Sequence, residues 1–305
     1  MFEKYQIECC IMILFCVFVA YNPDIDLLRR AVSALNCSNV EVVIVDNSAA
    51  SIVESTFLNC IGVSVICLGS NYGIGAAQNV GIQNAMNKDA DYILLSDQDT
   101  IYPSNFVSDM IACLEKLKTS GMIAAVCPNF FDVNRMELCP MIVDAGPLGL
   151  KLKTATSGLH KVCFANASGM IIPAQVFSDV GLMREDLFID CVDTEWCTRA
   201  EHFGYSIYCN ADMVITHSLG DRSINVLGRV ITQHSPLRHY YLARNSMYLA
   251  LYSKHLTLNK RLFFLMRAIK RVVGHAVLSA PRLENLRMGV LGIWHGVIGR
   301  LGKYD

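Results

Sequence analysis

The chain of 305 residues is long enough to bury a sizeable core, as one large domain or as a domain with an appendage. With 53% hydrophobic and 17% charged residues, its composition excludes an intrinsically disordered protein. The net charge of -1 hides a basic end, because residues 226–305 carry 13 Lys and Arg against two acids. Such a segment suits an anionic partner, and membrane head groups and nucleic acid are both options.

A continuous apolar run of about a dozen residues, 9–20, precedes the turn signal Asn22-Pro23. A membrane-spanning helix needs about 20 apolar residues. A signal peptide is the other alternative, but Glu3 and Glu8 do not suit its first region. A buried parallel strand over 11–20 therefore fits the run better than either.

Strand-like and helix-like segments alternate through the first part of the chain. The predicted strands are 11–20, 41–45, 63–68 and 92–96, and the predicted helices are 24–35, 52–59, 73–86 and 105–118. This alternation predicts an α/β fold with a mostly parallel central sheet flanked by helices. Ligands bind such sheets at the carboxyl ends of the strands. The polar clusters that follow strands are Tyr21-Asn22, Asp46-Asn47 and Asp97-Gln98-Asp99.

The second half of the sequence is less regular. Residues 127–159 predict loops and short strands, 164–172 a strand, 173–180 a short helix, and 188–203 a polar cluster followed by a helix. Helices are also predicted at 240–252 and 258–278. The last of these is amphipathic and basic, which is typical of a helix on a membrane surface. Its cations are Lys260, Arg261, Arg267, Lys270 and Arg271.

The 13 cysteines are scattered along the chain and include no C-x-x-C pair. A structural zinc site is therefore not expected. Since many cysteines lie within apolar runs, we interpret them as small buried hydrophobic residues of a protein in the reducing cytosol.

Two carboxylates, Asp97 and Asp99, follow a predicted buried strand. Together with a diphosphate they suit Mg²⁺ or Mn²⁺, which neutralises charge on a departing nucleotide diphosphate. The alternative is that Asp97 caps the next helix. Asp46 either accepts a hydrogen bond from a nucleobase imide or forms an Asx-turn. His217 is either a third metal ligand or a structural histidine.

Gly73 and Gly75 precede the helix that contains Asn79. Small residues at this position let backbone amides approach an anion. The third glycine of a dinucleotide-binding G-x-G-x-x-G is displaced to Gly81, so that motif is a poor match.

A second acidic cluster lies at 190–195, beside Trp196. Transfer of a group to a hydroxyl needs a general base near that hydroxyl, and a carboxylate at the head of a helix can serve. Asp193 can also cap this helix, with Glu195 in its first turn. The two roles are compatible.

Together these motifs resemble the inverting family-two glycosyltransferases with the GT-A fold. In the first half the resemblance is carried by Val19-Ala20-Tyr21-Asn22-Pro23, Val45-Asp46-Asn47, Asn71-Tyr72-Gly73-Ile74-Gly75 with Asn79, and Leu95-Ser96-Asp97-Gln98-Asp99. In the second half it is carried by Leu187-Phe188-Ile189-Asp190, Val192-Asp193-Thr194-Glu195-Trp196-Cys197, His217-Ser218-Leu219-Gly220-Asp221, and His234-Ser235-Pro236-Leu237-Arg238 with Arg244-Asn245. The second set is similar to bacterial rhamnosyltransferases of O-antigen and polysaccharide assembly, which use dTDP-L-rhamnose.

The resemblance implies a role for each matching residue. Donor binding is assigned to Tyr21, Asn22, Asp46, Asn79, Asp97, Gln98 and Asp99, with Asp46 on the thymine. The metal, Mg²⁺ or Mn²⁺, is assigned to Asp99 and His217. Asp193 matches the aspartate of the family's Glu-Asp motif, the catalytic base, although Val192 replaces the glutamate. The acceptor side is assigned to Asp190, Glu195 and Trp196.

The resemblance also implies an organisation and a location. Residues 1–225 would form the GT-A catalytic domain, with nucleotide-sugar binding in about 1–120 and the acceptor side in about 121–225. Residues 226–305 would form a basic helical appendage on an anionic membrane surface. The protein would be cytoplasmic, on the inner face of the membrane. It would move L-rhamnose to a saccharide acceptor, carried on polyprenyl diphosphate.

Three alternatives remain open at this point. The donor could be a UDP- or GDP-sugar. A nucleotidyltransferase also presents acidic metal ligands beyond a parallel sheet, but residues 21–24 lack its glycine- and basic-rich loop. A nucleic-acid binder would account for the basic end and leave both acidic clusters unexplained, so no nucleic-acid partner is expected.

Overall fold

The computed structural model describes residues 12–35, 40–133, 135–146, 149–217, 222–226, 229–233, 235–278 and 280–304, with no side chains for 217–234. The strands are β1 (Leu14–Ala20), β2 (Val40–Asp46), β3 (Val63–Cys67), β4 (Tyr92–Asp97), β5 (Ile123–Asp132), β6 (Glu137–Leu138), β7 (Met141–Asp144), β8 (Leu150–Lys153), β9 (Leu159–Val162), β10 (Met170–Pro173), β11 (Ser206–His217), β12 (Arg222–Val226) and β13 (Arg229–Gln233). The helices are α1 (Ile25–Leu35), α2 (Val53–Phe57), α3 (Ile74–Met86), α4 (Phe106–Lys118), α5 (Ala174–Val180), α6 (Val192–His202), α7 (Pro236–Tyr252), α8 (Leu258–Leu278) and α9 (Arg282–Val297).

The central sheet carries its strands in the order β3-β2-β1-β4-β10-β5-β11-β9, with β6 beside β5. Strands β1 to β4 pair in parallel, as do β5 and β11. Strand β10 runs antiparallel between β4 and β5. The predicted α/β fold with a mostly parallel sheet flanked by helices is therefore confirmed.

Strand β1 is buried on both faces along its whole length. Helices α3, α5 and α6 contribute to the apolar core that includes Val17, and α1 and α4 contribute to the core that includes Phe18. A parallel strand covered on both sides reads as an uninterrupted apolar run. The predicted strand at 11–20 is therefore confirmed from Leu14 onward, and residue 11 lies outside the described part of the chain.

The register of the parallel strands brings the predicted polar clusters to one edge. Ala20 at the end of β1 is paired with Asp46 of β2 on one side. Val19 is paired with Asp97 of β4 on the other side. Tyr21 therefore leaves the sheet between the two aspartates, as the carboxyl-edge argument predicts.

The second half differs more from the prediction. The strand predicted at 164–172 is limited to β10, whereas the hairpin β12–β13 and helix α9 were not predicted. Helix α7 begins four residues earlier than predicted, since Ser235 Oγ accepts a hydrogen bond from the Arg238 N–H and Pro236 fits the first helical position. Ten cysteines lie in the described ranges, all as free thiols, and six are buried.

Helix α9 packs closely on α7. A Cβ atom at Gly292 would lie 2.4 Å from the Tyr240 carbonyl oxygen, so only glycine permits this approach. The approach also allows Tyr240 Oη to lie 2.7 Å from His295 Nδ1. The three C-terminal helices therefore form a single packed unit against the rest of the protein.

Helix α8 buries or engages some of the cations that the sequence assigned to a membrane surface. Lys260 is buried and forms an ion pair with Glu201, while Arg261 donates to the carbonyls of Ala250 and Ser253 at the end of α7. The outward face is an apolar stripe instead. Its exposed members are Leu262, Met266, Ile269, Val273 and Val277. The expectation that the α8 cations form the outer surface is thus corrected for Lys260 and Arg261, whereas Lys270 is exposed. Among the described helices, none has the length and apolarity needed to cross a membrane.

Candidate active site

A cavity of about 900 Å³ lies at the carboxyl edge of β1, β2 and β4. Helices α6, α7 and α8 contribute its other wall. Six of the residues predicted from the sequence line it, namely Tyr21, Asp97, Gln98, Asp99, Asp190 and Asp193. The structure therefore brings the two acidic clusters, which are far apart in sequence, into one cavity.

Gln98 ties the end of β1 to the acidic turn. Its Oε1 accepts a hydrogen bond of 2.7 Å from the Tyr21 N–H. Asn22 does not line the cavity; it has a positive φ of 43° and its N–H donates to Ser48 Oγ at 2.8 Å. Asn22 thus shapes the turn after β1, where asparagine tolerates left-handed backbone better than most residues do.

Asp97 and Asp99 stand on a well-supported turn. The Asp97 N–H donates to Ser168 Oγ at 3.2 Å, and that hydroxyl also lies 2.7 Å from Thr100 Oγ1. Within the described ranges, no three His, Cys, Asp or Glu side chains converge as a complete metal site. Mg²⁺ and similar ions are commonly held by one or two carboxylates plus substrate phosphates and water, so this pair fits such an ion.

His217 is the second predicted metal ligand. Its backbone ends β11, whereas its side chain lies outside the described part of the structure.

Asp46 lies buried at the end of β2, beneath the cavity rather than in its lining. Its Oδ1 accepts from the Ser48 N–H at 3.0 Å, which is the predicted Asx-turn. Its Oδ2 is buried without a hydrogen-bond partner among the described residues. One carboxylate oxygen is therefore occupied by the turn, and the other is an unused acceptor next to Asn47, which does line the cavity.

Asn47 and Gly73 hold the loop before α3. Asn47 Oδ1 accepts from the Tyr72 N–H at 2.8 Å, and its Nδ2 lies 3.1 Å from Asn71 Oδ1. Gly73 has a φ of +91°, and a Cβ atom there would lie 2.5 Å from the Phe188 carbonyl oxygen. Asn47, Asn71 and Gly73 line the cavity, yet the sequence supplied no individual role for the two asparagines.

The loop before α6 is held in an unusual conformation. Phe188, Asp190 and Cys191 all have a positive φ, of 64°, 62° and 63°. The fully buried Asn245 of α7 donates from Nδ2 to the carbonyls of Leu187, at 2.9 Å, and of Asp190, at 2.9 Å. Non-glycine residues keep such backbone angles only when their surroundings enforce them. Helix α7 therefore positions the loop that precedes Asp193.

Asp193 lies in the first turn of α6, at the cavity. Its Oδ1 accepts from the Thr194 N–H at 2.7 Å, and its Oδ2 lies 3.4 Å from the Ala167 nitrogen that donates to it. Burial raises the pKa of its carboxyl above the usual value, and the nearby charge of Asp190 acts in the same direction. A higher pKa makes the carboxylate a stronger base.

Glu195 and Trp196 are not on the acceptor side, and this prediction is corrected. Glu195 is buried and its Oε2 lies 2.9 Å from Arg199 Nη2. Trp196 is fully buried, donates from Nε1 to the Gly181 carbonyl at 3.0 Å and packs on Phe177. At about 100° per residue, Glu195 points to the side of α6 opposite Asp193, whereas Trp196 is held in the core by its contacts with Gly181 and Phe177.

Asn79 also lies away from the cavity lining. Its Nδ2 donates to the Met183 carbonyl at 2.9 Å and to Glu185 Oε1 at 2.8 Å, and its Oδ1 accepts from the Met183 N–H at 2.9 Å. Since both ends of the amide are engaged, Asn79 fixes α3 to the segment before α6 rather than facing a donor.

A cationic wall faces the acidic edge, and sequence reasoning missed it. Its members are Arg238 of α7 and Arg267 and Arg271 of α8; His275 lies beside them, but burial and the charge of Arg271 lower its pKa and favour the neutral imidazole. The signal was present in the basic composition of residues 226–305, which we assigned to the outer surface. The structure directs three of these arginines into the cavity instead.

Comparisons with known proteins agree with the geometry of the cavity, because they match the chain to glycosyltransferases. The sequence model of glycosyl transferase family 2 matches residues 16–180. The dTDP-rhamnosyl transferase RfbF of Shigella flexneri is 31% identical over 297 residues, which cover 95% of this chain and 97% of that protein.

Two solved structures are similar in fold. The crystal structure of residues 1–349 of S. aureus TarS with UDP-GlcNAc gives a TM-score of 0.58 at 16% identity, covering 94% of this chain and 82% of that one. The crystal structure of GalNAc-T7 with UDP, GalNAc and Mn²⁺ gives a TM-score of 0.55 at 15% identity, covering 84% and 54%. At such low identity they bear on the fold alone, and they confirm the expected GT-A fold.

Proposed function

The chain belongs to glycosyl transferase family 2 and is a glycosyltransferase, and from this premise we propose that it transfers L-rhamnose from dTDP-L-rhamnose to a hydroxyl of a saccharide acceptor. The observation that carries the proposal is that Asp97, Asp99 and Asp193 line one cavity in a chain similar over nearly its whole length to a dTDP-rhamnosyl transferase. The family match also removes the nucleotidyltransferase alternative.

The donor is proposed to lie along the carboxyl edge of the sheet. The unused Oδ2 of Asp46 is the acceptor for the imide N–H of thymine. The diphosphate then extends toward Asp97 and Asp99, on the far side of β1 from Asp46. Asn47 and Gly73 hold the intervening loop, so their role is to shape the donor site.

Transfer is proposed to proceed in one displacement with inversion. The acceptor hydroxyl oxygen forms a bond to the anomeric carbon while the bond from that carbon to the diphosphate oxygen breaks. The electron pair of the broken bond leaves with dTDP, and the hydroxyl proton moves to the Asp193 carboxylate. The raised pKa of Asp193 favours this proton transfer.

The two carboxylates Asp97 and Asp99 are proposed to hold Mg²⁺ or Mn²⁺, with Asp99 the closer ligand and His217 a further one. Such an ion, when bound, supplies positive charge that stabilises the departing diphosphate. Ser168, which supports the Asp97 backbone, keeps the acidic turn in place.

The acceptor is proposed to be a saccharide carried on polyprenyl diphosphate, which places the protein at the inner face of the cytoplasmic membrane. Two features support association with a lipid surface. Helix α8 exposes an apolar stripe, and Trp294 of α9 is 57% exposed. Amphipathic helices bury such residues in the interfacial layer of a membrane.

A panel of nucleotide sugars tests the donor. We expect dTDP-L-rhamnose with Mn²⁺ to raise the unfolding temperature in a thermal-shift assay more than any UDP- or GDP-sugar, as the similarity to a dTDP-rhamnosyl transferase implies. Asp46→Asn should reduce the shift that dTDP-L-rhamnose produces, because the carboxylate acceptor for the imide N–H is lost, while the unfolding temperature without ligand should change little. If a UDP- or GDP-sugar gives a larger shift, the donor is that nucleotide sugar and not dTDP-L-rhamnose.

A further inference from the structure

A groove of about 460 Å³ runs along α8 and opens next to the active-site cavity. Most of its lining is apolar, with Ile142 and Leu152 on the β7–β8 hairpin and Phe263, Met266 and Leu278 on α8. The two spaces share Arg267, Arg271 and His275. The groove therefore ends at the cationic wall.

Arg271 is the most unusual member of that wall. Its Nη1 is buried and makes no hydrogen bond within the described part of the structure. Burial lowers the pKa of Arg271 to about 10, with the charges of Arg267 and Arg238 acting in the same direction and Asp190 and Cys191 opposing them. The guanidinium is still charged at neutral pH, so a buried donor at the site has no hydrogen-bond partner among the described residues.

Charge and shape together specify the occupant. A cluster of guanidinium groups binds phosphate, for which arginine supplies planar, directed donors. The apolar lining of the groove suits a hydrocarbon chain. A ligand that satisfies both has a phosphate head at the arginines and an aliphatic chain beside Phe263 and Met266. A sugar nucleotide carries no such chain.

We propose that Arg267 and Arg271 bind the phosphate end of a prenyl-phosphate lipid whose hydrocarbon chain lies in the groove between α8 and the β7–β8 hairpin. This site would anchor the lipid that carries the acceptor, and that interpretation rests on the proposed function. Binding itself requires neither donor nor transfer. Arg267 also reaches the small pocket of about 200 Å³ that contains Asp193, so the lipid head and the base lie near each other.

Calorimetric titration of the full chain with farnesyl diphosphate tests the site. EDTA is present, so that metal at the acidic turn contributes nothing. We expect wild-type protein to bind farnesyl diphosphate at least about tenfold more tightly than inorganic pyrophosphate or farnesol, because both ends of the ligand are recognised. Arg271→Gln should weaken farnesyl diphosphate binding by at least about tenfold. Met266→Ser should weaken it while leaving pyrophosphate binding unchanged.

Controls separate the site from the fold and from the donor. Arg287→Gln removes the same charge from the exposed surface of α9 and should leave every affinity unchanged. Arg271→Gln should unfold at the wild-type temperature or above, since it removes a buried charge whose Nη1 has no hydrogen-bond partner among the described residues. Its affinity for dTDP, measured with Mn²⁺, should also be unchanged.

Two results would overturn the inference. One is farnesyl diphosphate binding by Arg271→Gln that equals the wild type. The other is a loss of dTDP binding as large as the loss of farnesyl diphosphate binding, which would assign the arginines to the donor diphosphate. Failure of the rhamnosyl-transfer proposal is detected separately, because a protein that ignores dTDP-L-rhamnose and still binds farnesyl diphosphate through Arg271 retains this site.

Discussion

Asp193→Asn is expected to lower kcat for sugar transfer by about 10³-fold while leaving donor affinity close to the wild-type value, because a general base contributes about 10²–10⁴-fold. The substitution preserves the size of the side chain and removes its ability to take a proton, and the amide oxygen can keep the 2.7 Å hydrogen bond from the Thr194 N–H while the long one from Ala167 is lost. Steady-state rates with saturating donor, acceptor and Mn²⁺ measure the effect. Asp89→Asn is a matched control, since Asp89 has a positive φ of 56° that asparagine also adopts.

The pH dependence gives the Asp193 prediction a second readout. Activity requires the carboxylate, so it falls as pH falls through the Asp193 pKa. Because burial raises this pKa, the acidic limb of the kcat profile should lie above the ordinary aspartate value of about 3.9. A kcat for Asp193→Asn close to that of the wild type would remove Asp193 from the role of base.

As pH rises, the Asp193 carboxyl should contribute less to the stability of the folded protein, although activity rises. A raised pKa in the folded state means that folding favours protonated Asp193, so its contribution to stability is full at low pH and is lost as pH rises through that pKa. At neutral pH the Asp193→Asn variant should therefore unfold at the same temperature as the wild type or higher. A lower unfolding temperature would indicate that lost activity reflects lost structure.

Asp99→Asn is expected to abolish the stimulation of transfer by Mn²⁺ and to lower kcat/KM by about 10²-fold or more, since the charge that stabilises the diphosphate is worth several kcal/mol. Donor turnover measured over a Mn²⁺ titration reports both effects. Asp109→Asn is the control, because Asp109 is an exposed residue on α4. Full Mn²⁺ stimulation in Asp99→Asn would exclude this carboxylate as a metal ligand.

The sheet and its acidic edge were predictable because they depend on local patterns. The buried run before Tyr21 has to be a covered strand, and parallel strands bring their carboxyl ends to one edge. Asp97 follows from this logic, whereas Asp193 was identified from the acidic cluster at the head of a predicted helix and from the resemblance. The structure adds the register that places Asp46 and Asp97 on either side of β1.

The errors arose where side-chain direction decides the role. Glu195 and Trp196 belong to an acidic, aromatic motif, but helical rotation sends them into the core. Asn79 was assigned to the donor through the resemblance, whereas its side-chain amide is hydrogen-bonded to Met183 and Glu185. Sequence alone does not give the rotation of a helix on a sheet.

The cationic wall could not be predicted from the sequence, because it depends on long-range packing. Charge on residues 226–305 was visible, but its direction depends on how α8 is held by α7 and α9. The apolar stripe of α8 is exposed, while Arg267 and Arg271 line the cavity. Helix α9 was not predicted at all, and the close contact at Gly292 that seats it is a property of the packed helices.

The choice of donor is the most direct test of the central claim. Wild-type protein with Mn²⁺ is given equal concentrations of dTDP-L-rhamnose and UDP-GlcNAc, with a saccharide-lipid acceptor, and release of dTDP and UDP is followed by chromatography. The account predicts acceptor-dependent release of dTDP with negligible release of UDP, and loss of dTDP release in Asp193→Asn. Preferential release of UDP, or dTDP release that persists in Asp193→Asn, would contradict it.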